Sequence, residues 1–269
     1  MAFYTSLLTP FDSRARVDLA RLRAHVLWLS TQGVDGFLVT GTTGELPYLS
    51  DREREAVHRT VLDAARGKVV FAYTWDPNPA TTAYLTDAAR EQGAGAVVVP
   101  PPAWYRVDDA TSRAWFESVA GKGIPVLAMH DPHHIATPMT PRLYAALRAA
   151  GTVTGMVDAG GDVYRLERMA NEDPGVIWAK GDAVLPTAAR STQLAGFVSV
   201  IANVWPSFCM RLFRSGEHQL EVALVERLNR VERAGGIRAL KALTRMGCRA
   251  PMIEPADELL MGLPPAEGP

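Results

Sequence analysis

Histidines concentrate in one short segment of this 269-residue chain. The run Met129-His130-Asp131-Pro132-His133-His134 holds three of the six histidines. An imidazole titrates near neutral pH, so the cluster can supply a general acid or base, or ligands for a metal ion. We predict acid–base roles for His130 and His134, because their spacing matches no established metal-ligand signature. Loop histidines without a chemical role are the alternative.

A lysine is the second candidate for chemistry. Of the four lysines, Lys180 alone stands at the C-terminal end of a short apolar run. A desolvated lysine amine loses its proton readily and can attack a carbonyl carbon to form a Schiff base. A salt bridge at the rim of the site, with Asp182 or Asp158 as the partner, is the alternative role.

The elements that must position these residues follow a repeating pattern. A short apolar run followed by an amphipathic helical stretch occurs eight times, which is typical of parallel strands joined by crossover helices. The runs are almost entirely apolar, as expected of strands buried on both faces. They are Tyr4–Leu8, Gly36–Thr40, Val69–Tyr73, Ala96–Val99, Pro125–Met129, Val153–Val157, Val176–Ala179 and Gly196–Ile201.

Capping residues support the helical stretches. Asp18 precedes the first, Ser50 and Glu53 form a capping box for the second, and Thr140 with Pro141 begins the fifth. After the eighth run come three more helical stretches, near residues 206–213, 217–233 and 236–246.

These elements predict an α/β fold, a (β/α)8 TIM barrel with a C-terminal helical extension. We divide the single domain into a barrel (1–205), C-terminal helices (206–250) and a flexible tail (251–269). An open doubly wound sheet is the alternative, but it would require a phosphate-binding glycine loop, which the sequence lacks.

Composition excludes several classes of partner. The chain carries 28 Lys+Arg against 29 Asp+Glu, so it offers no basic surface to nucleic acid. No apolar run approaches the roughly 20 residues that a membrane helix needs, and the N-terminus has no signal-peptide pattern. We therefore predict a cytoplasmic protein with no membrane partner. Cys209 and Cys248 are too few for a disulfide framework.

In a TIM barrel the residues just after each strand form the mouth, where active sites lie. By this rule His130 is the histidine expected to face the cavity. Tyr73, Trp75, Trp104 and Tyr105 are expected to narrow the mouth and to favour a planar or apolar ligand. Packing between loops or subunits is their alternative role.

Three motifs resemble those of the dihydrodipicolinate synthase and N-acetylneuraminate lyase family. They are Leu8-Thr9-Pro10-Phe11-Asp12, Gly41-Thr42-Thr43-Gly44-Glu45 and the run Val198–Val204, and the resemblance covers roughly residues 3 to 248. It implies class I aldolase chemistry on pyruvate or related 2-oxo acids, through a Schiff-base lysine on the sixth strand. It also implies a small-molecule carboxylate or carbonyl substrate and a homo-oligomer, either a dimer or a tetramer.

The sequence departs from the family pattern at the positions that carry this chemistry. Val157 stands where the family has its lysine, Met129 where it has a proton-relaying tyrosine, and His134 where it has a carboxylate-holding arginine. Valine has no nucleophile, methionine carries no proton, and one imidazole lacks the bidentate fork of a guanidinium. Ordinary dihydrodipicolinate synthesis is therefore not expected.

Other family positions are retained or closely matched. Thr42 and Thr43 belong to the turn that holds the substrate carboxylate in the family, whereas Glu45 is expected to tie the loop down. Asp158 and Asn203 match family positions as substrate contacts or as loop braces, and Trp104 is the best match to an aromatic pair. Our predicted substrate-binding residues are Thr42, Thr43, Trp104, Tyr73, Asp158 and Asn203.

We interpret the chain as a diverged lyase that performs aldol, dehydration or proton-transfer chemistry. The predicted catalytic residues are His130, Lys180 and His134, with no cofactor and no metal. Two alternatives remain open. One is a ligand-binding barrel without turnover, and the other is a metal-assisted aldolase with His130, His134 and Asp158 as ligands.

Overall fold

A computed structural model of the chain describes residues 1–268; Pro269, the last residue of the predicted tail, lies outside the described residues. The eight strands are parallel and close into one barrel in sequence order, with the last strand paired to the first. The predicted (β/α)8 TIM barrel is confirmed. The strands are β1 Ala2–Ser6, β2 Gly36–Val39, β3 Val69–Tyr73, β4 Ala96–Val99, β5 Val126–His130, β6 Gly155–Asp158, β7 Ile177–Lys180 and β8 Gly196–Ser199.

Helices alternate with the strands, and further helices follow β8. The predicted C-terminal helical extension is also confirmed, and it consists of the helices α8 (Pro206–Ser215), α9 (His218–Arg233) and α10 (Ile237–Leu243). Among residues 1–268, no helix is both long and apolar enough to traverse a lipid bilayer. The helices are α1 Leu19–Thr31, α2 Asp51–Ala64, α3 Pro79–Glu91, α4 Asp109–Val119, α5 Pro141–Ala149, α6 Val163–Glu172, α7 Leu185–Arg190, α8 Pro206–Ser215, α9 His218–Arg233, α10 Ile237–Leu243 and α11 Asp257–Leu260.

The predicted helix caps are confirmed by their geometry. The side chains of Asp18, Ser50 and Thr140 each accept a hydrogen bond from a backbone N–H in the first turn of the helix that follows. The Glu53 carboxylate accepts the N–H of Ser50 and completes the capping box. These bonds satisfy N–H groups that have no partner within the helix, so local sequence sets where these helices begin.

Layers of side chains from alternate strands fill the barrel interior. Tyr4, Phe71 and Trp178 from β1, β3 and β7 pack together with ring centroids 4.5 to 5.0 Å apart. Gly36 and Gly196 on intervening strands leave room for these rings. A Cβ atom at Gly36 would lie 2.6 Å from Tyr4, and one at Gly196 would lie 2.3 Å from Trp178.

The next layer from the same strands lies two residues further along each of them. Because side chains alternate between the two faces of a strand, the register places Ser6, Tyr73, Met129 and Lys180 in one layer. It is the last layer within the strands before the mouth. Strands four apart lie opposite each other in this closed barrel. Tyr73 therefore faces Lys180 across the layer, and Ser6 faces Met129.

Strand ends differ from the prediction by one or two residues. The strands β5, β6 and β7 each continue one residue beyond the predicted apolar run, because the polar residue that follows the run still pairs with a neighbouring strand. In contrast, β8 ends at Ser199 rather than Ile201. The carboxylate of Asp182 accepts the N–H groups of Val200 and Ile201 at 2.8 and 3.0 Å. This turns the chain into a short 3-10 helix.

A buried ion pair joins the C-terminal extension to the barrel mouth. The Nζ atom of Lys241 on α10 lies 2.5 Å from Oε1 of Glu45, and both side chains are almost fully buried. Glu45 adopts a left-handed backbone conformation with φ of 61° in the turn after β2. The ammonium also lies 4.2 Å from the centre of the Phe11 ring. Helix α10 therefore holds this turn in place from behind.

The segment after α11 packs back onto the barrel. The carboxylate of Glu267 accepts the N–H groups of Ser207 and Phe208 at the start of α8, at 2.7 and 3.2 Å. The indole of Trp205 donates to the carbonyl of Pro265 at 2.9 Å. These contacts attach the segment to α8. Its flexibility, like the division of the chain into barrel, helices and tail, stays a prediction.

Replacing Lys241 leaves the Glu45 carboxylate buried without its cation. Breaking a buried pair by removing one partner costs about 3–5 kcal/mol, so we expect Lys241→Met to lower the free energy of unfolding by that amount in urea denaturation. Arg59→Met breaks the exposed pair between Arg59 and Glu55 and is the control, with an expected cost below about 1 kcal/mol. Equal losses in the two variants would contradict the importance of the buried pair.

Candidate functional site

Three side chains of the last barrel layer carry polar groups that bind nothing within residues 1–268. The hydroxyls of Tyr73 and Ser6 are buried without a hydrogen-bond partner, and the amino group of Lys180 makes no hydrogen bond or close ion pair. The fourth member is Met129. A buried polar group left unsatisfied costs about 1–3 kcal/mol. Three open groups in one layer indicate a place where a bound molecule supplies the partners.

Lys180 differs from the other lysines in having no partner. Its side chain projects inward at the end of β7, and the residue is only 7% exposed. Burial lowers the pKa of Lys180, while the charges of Asp131 and Asp182 act in the opposite direction. The amine therefore loses its proton more readily than a free lysine, as attack on a carbonyl requires. The other three lysines contact the Val34 carbonyl (Lys68), Asp87 (Lys122) and Glu45 (Lys241).

The salt bridge considered as the alternative role of Lys180 is not formed. Asp182 accepts the hydroxyl of Ser199 at 2.5 Å and two backbone N–H groups. Asp158 pairs with Arg165 of α6 at 2.9 Å and accepts a backbone N–H. Both carboxylates are thus occupied by other donors, and neither forms a salt bridge with Lys180.

Asp131 connects the histidine segment to Lys180, and sequence reasoning did not select it. Its carboxylate is buried and lies 2.9 Å from Nδ1 of His134, whose side chain is 58% exposed. Burial raises the pKa of Asp131, but the hydrogen bond from His134 and the charges of His134 and Lys180 outweigh it, so the pKa is lowered. The hydrogen bond to Asp131 in turn raises the pKa of His134. The pair of His134 and Asp131 and the amine of Lys180 are therefore electrostatically coupled.

A usable signal for Asp131 was present in the sequence. Alternation along β5 puts Met129 on the inside, and two residues further on is Asp131. The three histidines around it drew attention to their own side chains instead. Ser6 was missed for a similar reason, since a serine inside an apolar run is usually structural.

The prediction that His130 faces the cavity is wrong. His130 is paired in register with Asp158, and both lie on the helix side of the sheet because Met129 and Val157 point inward. A Cβ at Gly160 would come within 3.0 Å of the imidazole ring. Burial lowers the pKa of His130, although the charge of Asp158 opposes the effect. Its ring packs between β5 and the helix layer, where the carboxylate of Asp158 pairs with Arg165 of α6.

The turn after β2 presents free backbone donors. The N–H groups of Thr42 and Thr43 donate to no acceptor within the described chain, whereas the N–H groups of Gly44 and Glu45 donate back to the carbonyls of Gly41 and Thr42 at 3.0 and 3.1 Å. Adjacent free N–H groups with hydroxyls beside them form a receptor for an anion. The predicted carboxylate-binding turn therefore has suitable geometry.

A buried polar network supports this turn and the end of β3. Thr40 has a left-handed backbone with φ of 55°, and its hydroxyl lies 2.5 Å from Nε2 of His58 and donates to the carbonyl of Tyr73 at 3.0 Å. Burial lowers the pKa of His58 to about 3, so the ring is neutral. Arg54 donates to the carbonyls of Tyr73 and Trp75 at 3.2 and 2.7 Å. These bonds fix the backbone from which Tyr73 projects.

The aromatic cluster expected to narrow the mouth is dispersed. Trp104 and Tyr105 are 72% and 83% exposed on the loop after β4. With Trp75 they line a groove of about 350 Å³ outside the barrel. Of the four aromatic residues expected at the mouth, only Tyr73 projects into the barrel interior. The structure therefore gives Trp104 no contact with the last barrel layer, in contrast to its predicted role in substrate binding.

Asn203 uses all its hydrogen-bonding capacity inside the protein. Its Oδ1 accepts the N–H of Leu8 at 3.3 Å and lies 3.1 Å from Nε2 of His25. Its Nδ2 donates to the carbonyls of Ser6 and Val200 at 2.7 and 2.8 Å. The side chain is fully buried. Of its two predicted roles, the geometry gives Asn203 the brace between β1 and β8 and leaves no group for a substrate.

The residues considered as metal ligands are not brought together. His130 and Asp158 lie on the helix side of the sheet, while His134 pairs with Asp131 at the mouth. Over residues 1–268 no three His, Cys, Asp or Glu side chains are arranged to hold a metal ion.

Comparison with known proteins gives consistent matches. The model of the dihydrodipicolinate synthetase family matches residues 2–246. A 4-hydroxy-tetrahydrodipicolinate synthase from Nitrobacter hamburgensis is 32% identical over 232 residues, which cover 84% of this chain and 78% of that protein.

Two solved structures share the fold. The sialic acid aldolase of Ruminococcus gnavus superposes with a TM-score of 0.88 at 17% identity, covering 96% of this chain and 92% of that one. The dihydrodipicolinate synthase of Aquifex aeolicus gives a TM-score of 0.87 at 22% identity, covering 96% of this chain and 94% of that one.

Removing the charge of Asp131 tests its pairing with His134. Because the hydrogen bond to Asp131 raises the pKa of His134, we expect Asp131→Asn to lower that pKa, measured by NMR titration of the ring protons. His134→Gln identifies the resonance, and Asp87→Asn, in a surface pair with Lys122, is the control that leaves it unchanged.

The pairing of His134 with Asp131 also makes the free energy of unfolding depend on pH. Because the pKa of His134 is raised in the folded state, its contribution to the free energy of unfolding is fully present below the pKa of the unfolded chain, about 6.5. It is lost as the pH rises through the folded value. An unchanged His134 titration in Asp131→Asn would contradict the pairing.

Proposed function

This chain belongs to the dihydrodipicolinate synthetase family, and we propose that it is a lyase that acts on a 2-oxo acid through Lys180. The observation that carries the proposal is the state of Lys180. Within residues 1–268 it is the one lysine with no protein partner, and it is buried in the last barrel layer with a lowered pKa. Val157 supplies no nucleophile at the position where relatives are expected to have one. A reaction other than ordinary dihydrodipicolinate synthesis follows from this difference.

The substrate carboxylate binds at the turn after β2. The free N–H groups and hydroxyls of Thr42 and Thr43 hold it, which directs the adjacent carbonyl group into the barrel mouth. Met129 and Val157 give the interior an apolar wall. This wall favours a 2-oxo acid whose remaining substituent is apolar over one that carries a second charge.

Covalent chemistry begins with the neutral amine of Lys180. Its nitrogen attacks the carbonyl carbon, the C=O π pair moves onto oxygen, and a proton passes from nitrogen to that oxygen. The protonated imidazole of His134 gives this oxygen a second proton, water leaves, and a positively charged imine remains on Lys180. This imine accepts the electron pair of the bond between C3 and C4 of the acid in aldol cleavage, or of a carbon–hydrogen bond at C3 in dehydration or proton transfer. Protonation and hydrolysis then release the product and restore the lysine.

We assign to His134 the proton transfers that this sequence needs. In aldol cleavage, the imidazole takes the proton of the substrate hydroxyl as the carbon–carbon bond breaks, and it later returns the proton to the enamine carbon. Asp131, 2.9 Å from Nδ1, stabilises the charged ring that forms in between. His130 is assigned a positioning role, since it supports the loop from the helix side of β5.

A second candidate is a barrel that binds the same acid without turning it over. The replacement of the family lysine and tyrosine by Val157 and Met129 favours it, because both family groups are absent from their usual strands. The expected homo-oligomer and the cytoplasmic location stay predictions.

Borohydride reduction tests the covalent step. With pyruvate and a panel of larger 2-oxo acids, we expect intact mass to show one reduced adduct and peptide mapping to place it on Lys180. Lys180→Met should lose the adduct. Lys122→Met, which removes a surface lysine paired with Asp87, should retain it. An adduct that persists in Lys180→Met would refute Lys180 as the reacting lysine. Binding of the acid without an adduct would favour the second candidate, a barrel that binds the acid without turning it over.

The anion receptor is tested by removing one hydroxyl. Thr43→Val keeps the side-chain shape but loses a donor to a charged group, an interaction worth about 1.5–3 kcal/mol. We expect the dissociation constant for the 2-oxo acid to rise roughly ten- to hundredfold in calorimetric titration. Thr192→Val, at an exposed position before β8, should leave it unchanged. Equal affinity in Thr43→Val and the native chain would show that the carboxylate binds elsewhere.

A further inference from the structure

The phenol of Tyr73 is the largest unsatisfied polar side chain in the barrel interior. The residue is 1% exposed, and its hydroxyl has no hydrogen-bond partner within residues 1–268. If this side chain were buried for packing alone, phenylalanine would be the more favourable residue, because burying a hydroxyl without a hydrogen-bond partner costs free energy. The hydroxyl is therefore explained best by a partner that arrives with a ligand.

The surroundings of Tyr73 fix where such a ligand would sit. Tyr73 lies opposite Lys180 in the last barrel layer, and its ring also lies beside the anion-binding turn. A Cβ on Gly41 would be 3.6 Å from Tyr73 Cδ2. A small acid held by Thr42 and Thr43 with its carbonyl toward Lys180 therefore lies beside the phenol.

Two features make Tyr73 a rigid neutral donor. Its carbonyl accepts hydrogen bonds from Thr40 and Arg54, which immobilise the backbone at the end of β3. Burial raises the pKa of its phenol, the charge of Asp131 adds to the effect, and Arg54 opposes it. The hydroxyl therefore keeps its proton at neutral pH. It can donate a hydrogen bond, but it does not serve as a base.

We propose that Tyr73 is a catalytic residue that donates its hydroxyl hydrogen bond to the carbonyl oxygen of the bound 2-oxo acid. The proposal rests on the proposed reaction of Lys180. When the amine attacks, the C=O π pair moves onto this oxygen, and the fixed O–H group stabilises the negative charge. The proton that neutralises the oxygen comes from the attacking nitrogen. Tyr73 thus begins and ends the step protonated, and no other reactant is needed.

The rate of imine formation tests this role in the native chain. Removing one donor to a developing oxyanion lowers rates by about 100- to 1,000-fold, so we expect Tyr73→Phe to slow borohydride trapping of pyruvate on Lys180 by at least 100-fold. Thermal stability should not fall, because the lost hydroxyl has no protein partner. Tyr4→Phe removes a phenol one layer deeper in the barrel and should leave the rate unchanged.

A spectroscopic measurement separates this inference from the covalent step. In Lys180→Met no imine can form, and a hydrogen bond from Tyr73 should move the carbon signal of bound [2-13C]pyruvate downfield from that of free pyruvate. The double variant Lys180→Met/Tyr73→Phe should lose this displacement.

The outcomes distinguish the two proposals. Loss of the displacement without any adduct in the native chain would refute covalent catalysis and retain Tyr73 as the carbonyl donor. An unchanged trapping rate in Tyr73→Phe, an unchanged carbon signal in the double variant, or no binding of pyruvate at all would overturn the role of Tyr73.

Discussion

Alternation of side chains in a closed parallel barrel is the constraint on which the rest of this structure depends. Each strand offers the interior one side chain in two, and the stagger of eight strands sorts those side chains into layers of four. One layer is filled with aromatic rings that only glycines on neighbouring strands could accommodate. The next layer toward the mouth takes its side chains from the same four strands. Ser6, Tyr73, Met129 and Lys180 are therefore brought together by strand geometry, independently of their residue types. Function at the mouth is therefore decided by the residue type at a few fixed positions.

Low dielectric and close charges give those positions their properties. Lys180 is desolvated by the barrel wall, and Asp131 and Asp182 limit the resulting fall of its pKa. Asp131 serves His134 at the same time, so the charges of amine and imidazole depend on one carboxylate. A change in one member of this set alters the proton affinity of the others. The candidate site is thus one coupled unit, in which the proposed nucleophile and the proposed proton carrier come from β7 and from the loop after β5.

Much of this arrangement could be predicted from the sequence, and the failures have a common cause. Repeating apolar runs and capping residues such as Asp18 and Thr140 are local signals, so the barrel and its helix starts were predicted correctly. The position of Lys180 at a strand end was equally local. His130 was predicted to face the wrong side because its residue type was given more weight than the alternation of side chains along β5. The same alternation places Asp131 on the inner face. Long-range contacts, such as those of Asn203, leave no trace in local pattern.

The contact between Lys241 and Glu45 spans 196 positions in the sequence, and it has a consequence for the order of events during synthesis. The turn that offers its backbone to an anion is made early by the ribosome, but the cation that secures it emerges late. Contacts of such separation form only after the intervening chain has closed. A nascent chain that already contains all eight strands therefore still lacks the brace behind this turn, and the proposed acid-binding turn is secured only when α10 docks.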